Sequence, residues 1–241
     1  MVTTHVRYEI VRTFRNPRSL AVTLALPLVL YYSIAGANRH TTTSGISFPL
    51  YFMVGMAAYG AMFATVSTGG HIAIDRAYGW TRHLRITPLR ARAEMGAKVL
   101  AAYLVALPAL VLLFLAGVTL GVHLDLRQWF EITGLLLVGL APFILMGLVL
   151  GHLVSCDALA PAVGGVVVLF ALLGGALGSF FGSGVMLALT KLLPSFWLAH
   201  AGKAALASGD WPLQGWIVVA AWTVALAFLA SLANRRDSAR A

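Results

Sequence analysis

The sequence predicts an all-α membrane protein with six transmembrane helices, and three observations carry that reading. Hydrophobic residues make up 60% of the 241 residues and charged residues only 10%, far below the roughly 25% charged content of soluble domains. Mean hydropathy is +0.87. The charges sit in short stretches between long apolar runs, which is the pattern of membrane topology.

Residues 1–18 open the chain with Arg7, Arg12, Arg15 and Arg18, while Val2, Val6, Ile10 and Phe14 recur every four residues. That spacing predicts an amphipathic helix lying in the membrane interface, its arginines toward anionic headgroups. Pro17 ends it, because the residue before a proline is pushed out of the helical region. Residues 20–37 form the first span, about 27 Å long at the helical rise and just enough for the hydrocarbon core. Ala35, Gly36 and Ala37 after a basic and apolar run also resemble a signal-peptide cleavage site; the segment is expected to be retained.

A polar loop with Arg39, His40 and three threonines leads into the second span, 48–70. Residues 71–98 return to polar composition and include Asp75 to Pro88, DRAYGWTRHLRITP. The third, fourth and fifth spans are 99–122, 129–154 and 158–181, and their short turns make neighbours antiparallel. Residues 182–212 differ, since the apolar run from Val185 to Leu193 is about 13 Å as a helix and cannot cross. Short re-entrant helices in the outer interface are expected here, with Trp197 at headgroup depth. The sixth span is 213–233.

Lys and Arg are distributed unequally. Four lie in the first 18 residues, six between Arg76 and Lys98 and three after Ala233, against Arg39, Arg127, Lys191 and Lys203 on the other side, which accounts for all 17. The positive-inside rule places both termini and the 71–98 loop in the cytoplasm.

Several functions are excluded by what the spans lack. Ion-coupled carriers place carboxylates or histidines at mid-membrane, whereas all eight acidic residues here lie at ends or in loops. The net charge of +9 is not gathered on a basic surface with interleaved aromatics, so no nucleic-acid partner is expected. One cysteine, Cys156, excludes an intramolecular disulfide. The seven histidines include no i, i+4 pair, and no metal site is expected. Gly174, Gly178 and Gly182 recur at intervals of four, as do Gly147 and Gly151. Such stripes let helices approach closely in lipid, either at a dimer interface, at a slit that opens, or within one subunit. Pro27, Pro108 and Pro142 lie inside spans, where each removes a backbone hydrogen bond and bends the helix.

The stretch from Asp75 resembles the cytoplasmic loop of ABC-2 type transporter permeases, whose pattern is approximately E-R-E-x-G-T-L-E-R-L-x-V-T-P. Asp75, Arg76, Gly79, Leu84, Ile86, Thr87 and Pro88 match it without a gap, while Ala77, Trp80, Thr81, Arg82 and His83 depart from it. The resemblance extends to RNPRSLAVTLALPLVL at the N-terminus and to the six-span plan with a long outer segment before the last span. A proline common near the end of the family's fifth span is missing.

The resemblance implies the membrane subunit of an ABC exporter, similar to drug and antibiotic-resistance permeases, in a bacterial plasma membrane. It implies a separate ATPase subunit in two copies, carrying ATP and Mg, and a second permease copy, giving a homodimer. This chain contains no G-x-x-x-x-G-K-[ST] phosphate loop, so it is expected to hold no cofactor and to be no enzyme itself. Residues Arg76 to Arg85 would form a coupling helix in a groove of the ATPase. Gly79 would allow close backbone approach, Trp80 and Leu84 would give one apolar face, and Arg82 and Arg85 would meet acidic groups. Few fixed charges in the spans favour an amphipathic or lipid-like cargo. Two alternatives remain: an intramembrane hydrolase using Ser183 of FGSG with His200, and a non-transporting assembly or signalling subunit.

Overall fold

Inside a bilayer every backbone polar group must be satisfied within its own segment, so long apolar runs fold as helices. The computed structural model describes residues 25–43, 45–78, 91–177, 184–207 and 210–239. Among them are five helices long and apolar enough to cross a membrane, together with a shorter apolar helix, Ala25–Ala35. The chain is a multi-pass, predominantly helical membrane protein. The N-terminal amphipathic segment, the beginning of the first span, and Gly79 to Pro88 lie outside the described residues.

In chain order, α1 (Ala25–Ala35) ends in a π-helical turn from Tyr31 to Ala35. Two short strands, β1 (Thr42–Thr43) and β2 (Ile46–Ser47), then pair antiparallel, Thr42 opposite Ser47 and Thr43 opposite Ile46. The long helices are α2 (Phe48–Ala77), α3 (Ala91–Thr119), α4 (Leu126–Leu153) and α5 (Cys156–Gly174). Three short helices follow, α6 (Gly184–Thr190), α7 (Pro194–Ala199) and α8 (Ala201–Ala207), before α9 (Leu213–Ala239).

The bundle is built around α2. In its most apolar 18-residue stretch 89% of residues are buried, against 44% for α3 and 22% for both α5 and α9. Its mean hydropathy there is 1.4, the lowest of the five, and that of α3 is 2.7, the highest. The inversion has a physical cause. Lipid-facing positions must be apolar, while a helix enclosed by other helices is held by packing and needs small residues. Accordingly α3 exposes Leu100, Leu107, Val111, Leu115 and Val118, whereas α2 buries Gly55, Ala57, Ala58, Gly60, Ala61, Ala64, Gly69 and Gly70.

Helices α2 and α4 cross in close contact. A Cβ added to Gly147 would lie 2.5 Å from the Val66 carbonyl oxygen, and one added to Gly69 would lie 2.8 Å from the Gly147 carbonyl carbon. Backbone rests on backbone there. Gly151, one turn on, faces Ile72 and the carbonyls of Gly69 and Gly70. The spacing of Gly147 and Gly151 therefore serves packing within one chain.

The structure alters several expected boundaries. Both helices flanking the polar stretch continue into it, α2 past Gly70 to Ala77 and α3 from Ala91 rather than Val99. The fifth helix stops at Gly174, where Gly175 adopts a left-handed conformation (φ 78°) and its N–H bonds back to the last turn. The polar loop before α2 contains the β-hairpin, too short to leave a period-2 signal. Trp197 is buried within the chain, its indole N–H donating to the Lys191 carbonyl at 2.9 Å. A buried indole N–H commonly finds such a partner.

Candidate functional site at the Asp75 end of the bundle

Two charged residues of the polar motif, Asp75 and Arg76, fall in the last turn of α2, and the structure shows what holds each. Asp75 is buried and accepts from Lys98 of α3, Nζ to Oδ2 at 2.8 Å, with both side chains 5% exposed. A charge buried this deeply is tolerated only when paired. The pair lets both helices carry a charge inside the bundle, which is why neither breaks where composition turns polar. It also joins the two chain segments that lead into and out of residues 79–90.

Arg76 points to a different neighbour. Its guanidinium donates through a terminal nitrogen to the backbone carbonyl of His152 in the last turn of α4. The final carbonyls of a helix have no partner within it and carry the negative end of its dipole. A cation there satisfies both, so adjacent residues of α2 bind α3 and α4.

Just beneath these polar contacts lies a small apolar cluster. Ile72 of α2, Leu148 of α4 and Ala230 of α9 are buried together, with Met95 and Val99 of α3 packed against them. Asn234 of α9 adds a weak contact to the Met95 sulfur at 3.6 Å. Four helices thus converge where the polar stretch leaves the bundle.

Of the residues singled out from sequence, Asp75 and Arg76 are brought together at this end. Gly79, Trp80, Arg82, Leu84, Arg85 and Pro88 lie outside the described residues, as do Gly178 and Gly182. Gly174 lies elsewhere, at the end of α5, where an added Cβ would sit 2.5 Å from Ser195 Oγ and 2.6 Å from the Ser195 carbonyl carbon of α7. The contact is within the chain. Lys98 belongs to no motif and stands out in the sequence only as one more positive charge. A basic residue a few positions inside a long apolar run, facing an acid at the end of the preceding run, is the signal that could have found it.

His200, weighed as half of a hydrolase pair, is held locally. Its ring stacks on Phe196 with centroids 4.1 Å apart, and its Nδ1 is 2.8 Å from the Phe196 carbonyl. Burial lowers its pKa from the ordinary 6.5; the Phe196 carbonyl acts in the opposite sense, and the charges of Lys203 and Lys191 lower it further. Ser183 lies outside the described residues.

No family model matches the sequence. A protein of Bacillus subtilis (strain 168) named "Putative transport permease YvfS" is 20% identical over 235 residues, covering 96% of this chain and 96% of its own length.

Proposed function

We propose that this chain is the permease subunit of an ATP-driven ABC-2 type exporter, moving an amphipathic or lipid-like molecule out of the cytoplasm or the inner leaflet, with drug or antibiotic efflux as the cargo class. The observation that carries the reading is the position of the ABC-2-like stretch. It begins at Asp75, and Asp75 is ion-paired to Lys98 of the helix on the other side of the stretch. A push on residues 79–90 would then reach α2 and α3 together. Through Arg76 and the glycine crossing it would also reach α4. End-to-end similarity to a protein named as a transport permease supports the same reading.

In this proposal the termini and the Asp75 end face the cytoplasm, in accord with the excess of Lys and Arg there. Two ATPase subunits hold ATP and Mg and close on them, and two copies of the permease flank the pathway. Gly79, Trp80, Leu84, Arg82 and Arg85 contact the ATPase.

The test is transport in inverted vesicles containing the permease and its ATPase. Leu84→Asp is expected to abolish ATP-dependent uptake while ATP hydrolysis persists. Unchanged uptake would remove the coupling role, and absence of any phosphate-loop ATPase that copurifies with the chain would remove the exporter assignment. A non-transporting subunit predicts no cargo-stimulated hydrolysis in the reconstituted complex.

A further inference from the structure

At the end of the bundle opposite Asp75 the described residues line an open cleft of about 630 Å³ between the β-hairpin, the start of α2, the turn before α4, and α8. That volume is in the range of small-molecule sites. Its wall is two-sided. Ile46, Leu50, Leu124 and Leu206 form an apolar part, while Ser47, His123, Gln128 and Lys203 form a polar one.

The polar part is arranged to donate. Lys203 Nζ stands 5.3 Å from the centre of the Tyr51 ring, so an aromatic face steadies the ammonium. The Tyr51 hydroxyl is itself fixed, donating to the Gly175 carbonyl at 3.4 Å. Gln128 accepts from the backbone N–H of Asp125 through Oε1 at 3.0 Å, which leaves its amide nitrogen as the end that can serve a ligand. His123 Nδ1 lies 2.9 Å from the Gly121 carbonyl, fixing the ring at the rim. Among the described residues that line the cleft none is acidic; Asp125, next to Leu124, is not one of them. The N-terminus of α2 also opens here and adds positive potential to the lysine's, whereas the N-terminus of α4 is already capped by the Asp125 carboxylate.

We infer that this cleft binds the head and proximal chain of an anionic amphiphile, a phosphate or carboxylate group held by Lys203 and Gln128 with its apolar chain along Leu50, Leu124 and Leu206. A cation and an amide donor beside an apolar wall match both halves of such a molecule at once. A free inorganic anion would leave the apolar wall wet, and a cationic amphiphile would meet Lys203. The inference does not rest on the transport reading, because the site lies within one chain and needs neither ATP nor a partner.

Native mass spectrometry of the purified chain in a neutral detergent tests it, with dodecyl phosphate as the probe. Dodecyl phosphate is expected to bind one per chain, and Lys203→Gln to weaken it about tenfold, the scale of one charge-assisted hydrogen bond. Gln128→Leu should weaken it by a smaller factor and serves as the second variant if Lys203→Gln fails to fold. Equal binding by both variants, or equally tight binding of dodecyltrimethylammonium or inorganic phosphate to the unaltered chain, would overturn the inference. Competition by phosphatidylglycerol supports it with a bilayer lipid as occupant. Undiminished binding in the presence of that lipid supports it with an amphiphile arriving from water.

Discussion

Lys98 Nζ lies 2.8 Å from Asp75 Oδ2 in the interior of the helix bundle, and the two residues stand 23 positions apart on helices that meet the same polar segment. Paired ions removed from water gain little net stability, but a single one left behind is costly. Asp75→Asn is therefore expected to destabilise the chain, by up to about 3–5 kcal/mol, the scale of removing one partner of a buried ion pair. The double replacement Asp75→Leu with Lys98→Met should recover most of that loss. Thermal unfolding in detergent of the two single variants and the double checks both statements, and additivity of the singles would show that the pair is not coupled.

The α2–α4 crossing admits no side chain. Gly147→Ala would place a methyl group against the Val66 carbonyl, so the two helices must separate and lose contacts along their length. A marked drop in unfolding temperature is expected. Gly134 of the same helix has nothing within 4 Å of an added Cβ. Gly134→Ala should be neutral or slightly stabilising, since alanine is favoured over glycine in helices by about 1 kcal/mol. Equal effects at the two positions would mean that helix propensity, not the crossing, governs both.

His200 makes stability depend on pH. Its lowered value leaves the ring neutral in the folded chain at a pH where the unfolded chain, with the ordinary 6.5, has taken up a proton. The unfolded state then binds more protons, so stability rises with pH through this window. The contribution is constant above about pH 7 and is lost as pH falls below the ordinary histidine value. His200→Phe keeps the stack on Phe196 and removes the titration. Unfolding measured from pH 8 to 5.5 should slope for the unaltered chain and be flatter for the variant.

Gly174 secures α7 to the end of α5. Gly174→Val would drive a branched side chain into Ser195, forcing α7 outward. Trp197 packs on Gly215 in the same region, and its fluorescence should shift to the red in the variant as water reaches the indole. An unshifted spectrum would indicate that α7 is held without this contact.

The helical, membrane-crossing nature of the chain was legible in its sequence because apolar runs of that length have few other solutions. Helix ends were less so. Asp75 and Lys98 read as loop residues when each is scored alone, and only their pairing lets α2 and α3 carry them inside. Gly147 and Gly151 announced a close approach by their spacing, but not the partner, since Gly69 and Val66 are identified only by the crossing itself. Trp197 reads as an interfacial indole, and its bond to the Lys191 carbonyl six residues back depends on the turn between α6 and α7, which periodicity does not reveal. The hairpin of two-residue strands is shorter than any periodicity that could reveal it.

The weak hydropathy of α2 bears on how the chain enters the membrane. During synthesis α2 emerges before the helices that later surround it, and its partition into lipid has the smallest apolar drive of the five. Asp75 emerges with it, 23 residues ahead of the lysine that neutralises it. Stable insertion of α2 is therefore expected to depend on α3, whose strongly apolar run and Lys98 arrive together. Truncation of the nascent chain before Lys98 should leave α2 poorly retained, so the pair that ties two helices in the finished protein also orders their assembly.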